Sequence, residues 1–393
     1  MMRIAIIQYG NYRDAYLDFQ NGGEETYRDQ KASVDLVAAL APRNQVTTVA
    51  LMQPDHDVEL ADGLMSVGVP PGQSFDRRAV RRLMNRLAPD IVVCRTPHPD
   101  ILDWCRRKSV PTLPFFADIL GGASLRARYQ TFRLWRTLRS PVFPCIANHS
   151  LSASRTTMQA LRQPAERIVP WDRQRLVVRP EPKTAPDPAS GVSLFYAGAL
   201  TEPKGVGDAI EAVALMKQGG LVARLTLAGP GDRDHWRAFA GARSVGDQID
   251  LPGVIANRDV RDRMEKADAV LVTSRHGYAE GLPNTLCEAF ASRTPAVASD
   301  HPSFAERLTD GAGCLFYRAA DPSSLAARLT ELLTTPDLYE SVSAQSASAH
   351  ESLYVGVEWA TLFQTFIDDP TNKGGWVERL NLARIEDALA RGK

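Results

Sequence analysis

The chain has 393 residues, beyond the roughly 250–300 at which a single hydrophobic core stops growing, so two domains are expected. Forty-six Lys and Arg against 46 Asp and Glu give a formal charge of zero, which removes any whole-protein electrostatic case for a nucleic-acid partner. A 44% hydrophobic composition with 27 Gly and 26 Pro excludes a disordered or fibrous chain. The longest stretch free of Lys, Arg, Asp and Glu, residues 140–154, contains two prolines and falls short of the ~20 apolar residues of a membrane span. The N-terminal residues enter a strand-like run directly, without the basic, apolar and small-residue regions of a signal peptide, so a cytoplasmic protein is expected. Cys94, Cys105, Cys145, Cys287 and Cys314 are far apart with no Cys-x-x-Cys pair, which indicates neither a disulfide framework nor a zinc site.

Strand-length apolar runs alternate with amphipathic helical patterns, the layout of parallel sheets covered by helices, so the fold class is α/β. Residues 3–8 read as a strand, 24–41 as a helix with Val34, Val37, Ala38 and Ala41 on one face, and 45–52, 90–94 and 112–116 as further strands. Residues 179–190 hold four prolines in twelve positions and read as a stiff, solvated linker. Beyond it the alternation restarts, with strands at 192–197, 222–228, 269–273 and 296–299 and helices at 206–217, 259–267 and 283–292. The expected organisation is an N-terminal domain 1–178, the linker, a C-terminal domain 191–365 and a helical tail 366–393. The late apolar positions Trp359, Leu362, Phe363, Phe366 and Trp376 either pack back on the first domain or cap the second.

Residues 270–300 carry the most chemistry: a strand, a loop containing Glu280, then a helix opened by Pro283, Asn284 and Thr285 with Glu288 inside it. Unpaired N–H groups at such a helix start form a site for phosphate. Carboxylates in the loop and on the helix can accept hydrogen bonds from sugar hydroxyls, so one helix end can serve both parts of an activated sugar.

Glu280 and Glu288, with seven residues between them in EGLPNTLCE, after a VLVTS strand and before TPAVAS, resemble the motif of glycosyltransferase family 4. GALTEPKG at 198–205, LAGPGD at 227–232 and NGGEE at 21–25 are similar to that family's other turns, in its order along the chain. The resemblance implies a GT-B architecture, two facing Rossmann-like domains with a C-terminal helix crossing back to the first. It further implies a retaining, metal-independent transfer of sugar from a UDP- or GDP-sugar to an acceptor hydroxyl, with no cofactor. Glu280 would bind the donor sugar, Glu288 the ribose, and the backbone of Gly281, Leu282, Pro283, Asn284 and Thr285 the sugar and diphosphate. Lys204 would neutralise the leaving diphosphate, and Gly22, Gly23, Gly198 and Gly229 would let backbone approach the donor. Ala199 stands where many members have Arg. Ala117-Asp118 stands where the family often has His-Asp, leaving Asp118 as a candidate contact to donor sugar or acceptor. These two departures motivate the alternative of a non-catalytic scaffold with a degenerate donor site; a sugar-nucleotide epimerase of the same fold is a third.

Residues 125–139 carry Arg126, Arg128, Arg133, Arg136 and Arg139 among Tyr129, Phe132 and Trp135. Such a helix either lies peripherally on the inner face of an anionic membrane near a lipid-linked or glycan acceptor, or is a surface helix with its aromatics in the core. His276 reads either as a substrate contact or as a solvated loop residue. His98 and Asp100 read as a turn with a helix cap.

Overall fold

The computed structural model describes residues 1–117, 120, 124–278, 280, 283–305 and 307–391. The chain forms two units: Met1–Glu24, Asp29–Gln174 and Val355–Lys393 make the first, Glu25–Arg28 and Arg175–Tyr354 the second.

The first unit is built on strands β1 (Met2–Gln8), β2 (Asn44–Leu51), β3 (His56–Ala61), β4 (Leu64–Val69), β5 (Ile91–Cys94), β6 (Thr112–Phe116), β7 (Ile146–His149) and β8 (Ile168–Trp171). They are ordered β3-β4-β2-β1-β5-β6-β7-β8, and only the edge pair β3/β4 is antiparallel. Because a strand alternates its side chains, central β1 feeds two cores: Ile4 and Ile6 join one, Ala5 and Ile7 the other.

The last segment belongs to this unit and begins at Val355, earlier than the 365/366 boundary drawn from the sequence. Its helix Trp359–Asp368 buries Trp359, Leu362, Phe363 and Phe366 in the core that holds Ile4 and Ile6. Full burial of such side chains is worth about 1.5–3 kcal/mol each, which draws the segment out of the second unit. Backbone bonds from Asp172 to Val357 (2.8 Å) and from Trp359 to Asp172 (2.9 Å) fix its entry.

The single helix expected over 24–41 is instead Gln30–Ala38, preceded by a separate helix Tyr12–Gln20. Residues Glu25–Arg28 cannot be helical with their neighbours because they are drawn into the other unit. Helix Leu125–Leu138 also departs from a normal surface helix: it buries Leu134, Thr137 and Leu138 but exposes Leu125, Tyr129 and Phe132. Its Arg133 pairs with Asp100 at 2.5 Å, and Arg139 lies over the Trp135 ring. His98 is buried and caps helix Pro99–Lys108, its Nδ1 accepting from the Ile101 N–H.

The second unit holds β9 (Val192–Ala197), β10 (Ala223–Ala228), β11 (Ile249–Gly253), β12 (Ala269–Val272), β13 (Ala296–Ser299) and β14 (Cys314–Tyr317), all parallel, in the order β11-β10-β9-β12-β13-β14. The chain steps outward from β9 to β11 and then restarts on the other side of β9 with β12. Open α/β sheets bind ligands at the strand C-termini beside such a reversal.

Residues 179–190 are exposed or half-exposed throughout, as expected of a solvated segment, but they belong to the second unit and are strapped to it. The Arg179 N–H donates to Ala291 O (2.8 Å) and the Lys183 N–H to Ser343 Oγ (2.7 Å). Lys183 Nζ donates to Met264 O and Ala267 O at the C-terminus of helix Asn257–Lys266, a position where a cation also meets the negative helix end. Prolines supply few donors, so the lysine does the anchoring; its burial pushes the ammonium down to about 8.

Candidate functional site

Two turns meet at the reversal beside β9. After β9 the chain makes a tight turn in which Tyr196 Oη donates to Ala199 O (2.9 Å) and the Gly198 N–H to Ala228 O (2.9 Å). Gly229, with φ +149°, closes on this turn so tightly that a Cβ would stand 1.9 Å from Gly198 O. Farther along, Gly205 (φ +70°) opens helix Val206–Gln218, and a Cβ there would stand 2.1 Å from Thr273 O in the loop after β12. The loops are stitched together by Thr273 Oγ1 donating to Lys204 O (2.7 Å) and the Arg275 N–H to Pro203 O (2.9 Å).

This stitching sets Lys204 against Glu280. Their side chains form an ion pair, both less than a fifth exposed. The same carboxylate oxygen of Glu280 accepts from Ser274 Oγ (2.7 Å), and its backbone carbonyl accepts from Ser303 Oγ (2.7 Å). Lys204 Nζ also sits 4.5 Å from the centre of the Tyr278 ring, a cation–π contact. Behind it Arg275 grips buried Asp208 with two bonds, 2.6 and 3.0 Å, and reaches Glu202 at 2.7 Å; these acids raise the guanidinium's pKa and lock the loop. His276 is half exposed and bonds Asp300 at 2.7 Å. His301 Nε2 donates to Tyr278 O (3.1 Å), and its burial lowers its pKa.

A cavity of about 240 Å³ opens at the C-terminal ends of β9, β10 and β11. Residues 197–199 and 228–230, then Val254, Ile255, Asn257 and Val260, form two walls. Asn284, Thr285 and Glu288 from helix Asn284–Ala291 form a third, and Thr26, Tyr27 and Arg28 close it. The helix cap is Pro283, whose side chain has no acceptor, so the first helical N–H groups are left without a side-chain cap. Thr285 Oγ1 donates to Ala197 O (3.1 Å), pinning this helix start to the end of β9. Glu288 is buried at 7% exposure and accepts from Asn257 Nδ2 (3.3 Å).

Of the residues singled out by sequence, Gly198, Gly229, Asn284, Thr285 and Glu288 therefore line one cavity, with Pro283 at its helix start, and Lys204 and Glu280 form a cluster outside its lining. Gly22 and Gly23 belong to the first unit, where their N–H groups close helix Tyr12–Gln20 on Phe19 O and Asp18 O. Asp118, Gly281 and Leu282 lie outside the described residues. Sequence reasoning missed Ser274, six residues before Glu280, and also Ser303, Asn257 and the Arg275–Asp208 pair, whose partners are farther off in the chain. Among the described residues no group of three or more His, Cys, Asp or Glu side chains converges as for a metal ion.

Residues 183–348 match the family model described as glycosyl transferases group 1. The putative colanic acid biosynthesis glycosyltransferase WcaL of Salmonella typhimurium is 30% identical over 148 residues, 37% of this chain and 36% of that protein. The chain thus spans little more than a third of that relative's length. Sucrose-phosphate synthase from Thermosynechococcus elongatus superposes with a TM-score of 0.65 at 15% identity, covering 94% of this chain and 98% of that one. Anabaena Alr3699/HepE in complex with UDP gives 0.63 at 13% identity, covering 93% and 99%. Likeness at such identity is one of fold, here the GT-B architecture. The family match covers residues 183–348 alone, whereas the fold match extends over nearly the whole chain.

The stitched turns generate a first prediction. Gly205→Ala combines a left-handed backbone with a carbonyl clash and should destabilise the second unit by about 2 kcal/mol or more, read as a lower urea midpoint. A midpoint equal to wild type would show that the turn yields and that the contact with Thr273 does not constrain it.

Proposed function

We propose that the protein is a retaining glycosyltransferase that moves a sugar from a nucleoside-diphosphate sugar to an acceptor hydroxyl, without a metal, in the assembly of a polysaccharide, lipopolysaccharide or other glycoconjugate. The observation that carries this reading is the Lys204–Glu280 pair beside a helix start, inside the segment that matches the glycosyltransferase model. Before the donor binds, Glu280 holds Lys204 in place. With the donor present, the ammonium turns to the diphosphate and the carboxylate, still held by Ser274, accepts from the sugar's hydroxyls. A fixed cation at the leaving diphosphate acts where charge grows as the glycosidic bond breaks, which is the task a metal would otherwise serve. Glu288 accepts from the ribose hydroxyls, and the helix start meets the phosphates. The UDP complex of a structural neighbour and the biosynthetic name of a relative support the donor class and the pathway class. Retention and the roles of Asp118, Gly281 and Leu282 rest on the family resemblance alone, as does a contact of Gly22 and Gly23 with the donor.

The proposed acceptor is a glycan or a lipid-linked sugar, and helix Leu125–Leu138 supports contact with an anionic membrane. Its exposed Leu125, Tyr129 and Phe132 recur at helical spacing beside exposed Arg126, Arg128 and Arg136. No helix among the described residues is long and apolar enough to cross a membrane.

Purified protein should release UDP or GDP from a matching sugar nucleotide in the presence of acceptor and of excess EDTA. Glu280→Ala and Lys204→Ala should each lower kcat by roughly 10²–10³, with nucleoside diphosphate affinity nearly kept in the first and weakened in the second. Wild-type rates in the Glu280 variant would sink the site assignment, and loss in EDTA with recovery in Mg²⁺ the metal-free mechanism. An epimerase would interconvert sugar nucleotides without net diphosphate release, and a scaffold would bind without turnover.

Co-sedimentation with vesicles checks the membrane contact. Binding should require anionic lipid, and replacing Arg126, Arg128 and Arg136 together should weaken it on the order of a hundredfold, at about 1 kcal/mol per charge. Equal binding to neutral vesicles, or none to anionic ones at low salt, would leave an ordinary surface helix.

A further inference from the structure

We infer that His301 is the positioning residue for Glu280: from the end of β13 it reaches the loop after β12 and, with Ser303, holds the backbone of that acid from both sides. The inference rests on the donor reading above and deepens it, since it names what fixes the proposed sugar-binding carboxylate in its loop.

Glu280 stands in neither helix nor strand, so its place is set by individual bonds. Its N–H donates to Tyr278 O at 2.9 Å, and the same carbonyl accepts from His301 Nε2 at 3.1 Å. On its other side the Glu280 carbonyl accepts from Ser303 Oγ at 2.7 Å. His301 and Ser303 are themselves joined, because the Ser303 N–H donates to His301 Nδ1 (3.2 Å) at the start of helix Pro302–Ala305. The imidazole is buried and packs on the buried Phe304 ring, with centroids 5.0 Å apart, which fixes its plane. Sheet order brings these groups together: β12 and β13 are neighbours, so the loops that follow them leave the sheet side by side. At the last residue of β13, Ser299 Oγ donates to Ser274 O (2.6 Å) and so supports the serine that bonds the Glu280 carboxylate.

These bonds admit one form of the ring. Nδ1 accepts from an amide and Nε2 donates to a carbonyl, so the imidazole is neutral with its proton on Nε2. A second proton would go to Nδ1 and face the Ser303 N–H. Burial holds the pKa below the usual histidine value of about 6.5; Glu280 pulls it upward, while His276, paired with Asp300, and Lys204 push it down. Because the folded pKa is the lower one, the hold on Glu280 is complete above about pH 6.5 and is lost as pH falls through the folded value.

Two amide substitutions separate the two bonds, because Gln places its terminal nitrogen near the position of Nε2 and Asn places its oxygen near that of Nδ1. His301→Gln should keep the bond to Tyr278 O and hold kcat within about threefold of wild type, while losing the helix cap and lowering the urea midpoint. His301→Asn should keep the cap and the midpoint but lower kcat roughly tenfold or more, with UDP or GDP affinity unchanged in calorimetry because Glu280 meets sugar and not phosphate. The wild-type kcat should fall on the acid side of about pH 6.5; the fall should persist in His276→Gln and move to lower pH in His301→Gln. A kcat that merely follows the urea midpoint in both variants is the mark of a structural histidine and would overturn the inference. An acid fall that is absent from wild type, or that vanishes in His276→Gln, would do the same without any change at residue 301. A wild type that turns over no sugar nucleotide overturns the donor reading and this role together, whereas turnover that ignores residue 301 overturns this role alone.

Discussion

The second unit depends on one close approach: the turn that ends at Gly205 packs its backbone against the carbonyl of Thr273, with no room for a Cβ between them. The sheet brings the two turns to one edge because β9 and β12 are neighbours although β10 and β11 intervene in sequence. A short connection on each side then leaves Lys204 and Glu280 no freedom to be elsewhere. The same logic operates one strand over, where Gly229 meets Gly198 and shapes the cavity. Backbone packing, more than any side-chain bond, therefore sets where the charges sit.

Charge is then distributed in compensated pairs. Lys204 answers Glu280, and Arg275 answers Asp208 and Glu202. Leaving a charge unpaired in a half-buried site is costly, so each partner holds the other in place.

Much of the second unit is legible in the sequence because its strands are uninterrupted apolar runs. Residues 192–197 and 296–299 read as strands, and the structure has strands over those residues, with all of 296–299 and most of 192–197 buried. The glycines and the two glutamates stand out in the sequence as a pattern, and Gly198, Gly229 and Glu288 of it line one cavity. What was not legible is tertiary. A helix over 24–41 is a sound reading of periodicity, yet residues 25–28 are taken by the other unit. Proline density in 179–190 signals a solvated linker, yet Lys183 finds helix-end carbonyls. The aromatic residues of helix Leu125–Leu138 look like core, yet Tyr129 and Phe132 face solvent because Leu134 and Leu138 already fill that interface. Nothing in a single sequence marks Arg28 as part of a cavity built mostly more than 160 residues later.

The central claim is that the turns after β9 and β10 and the start of helix Asn284–Ala291 form a nucleoside diphosphate site. Amide hydrogen exchange of the full chain with and without UDP or GDP tests it most directly, since it reads each backbone N–H. The account predicts slowed exchange at Gly198, Ala199, Gly229, Asn284 and Thr285 on addition of the binding nucleotide. Saturating nucleotide that leaves all five unchanged while protecting another region of the chain would contradict it.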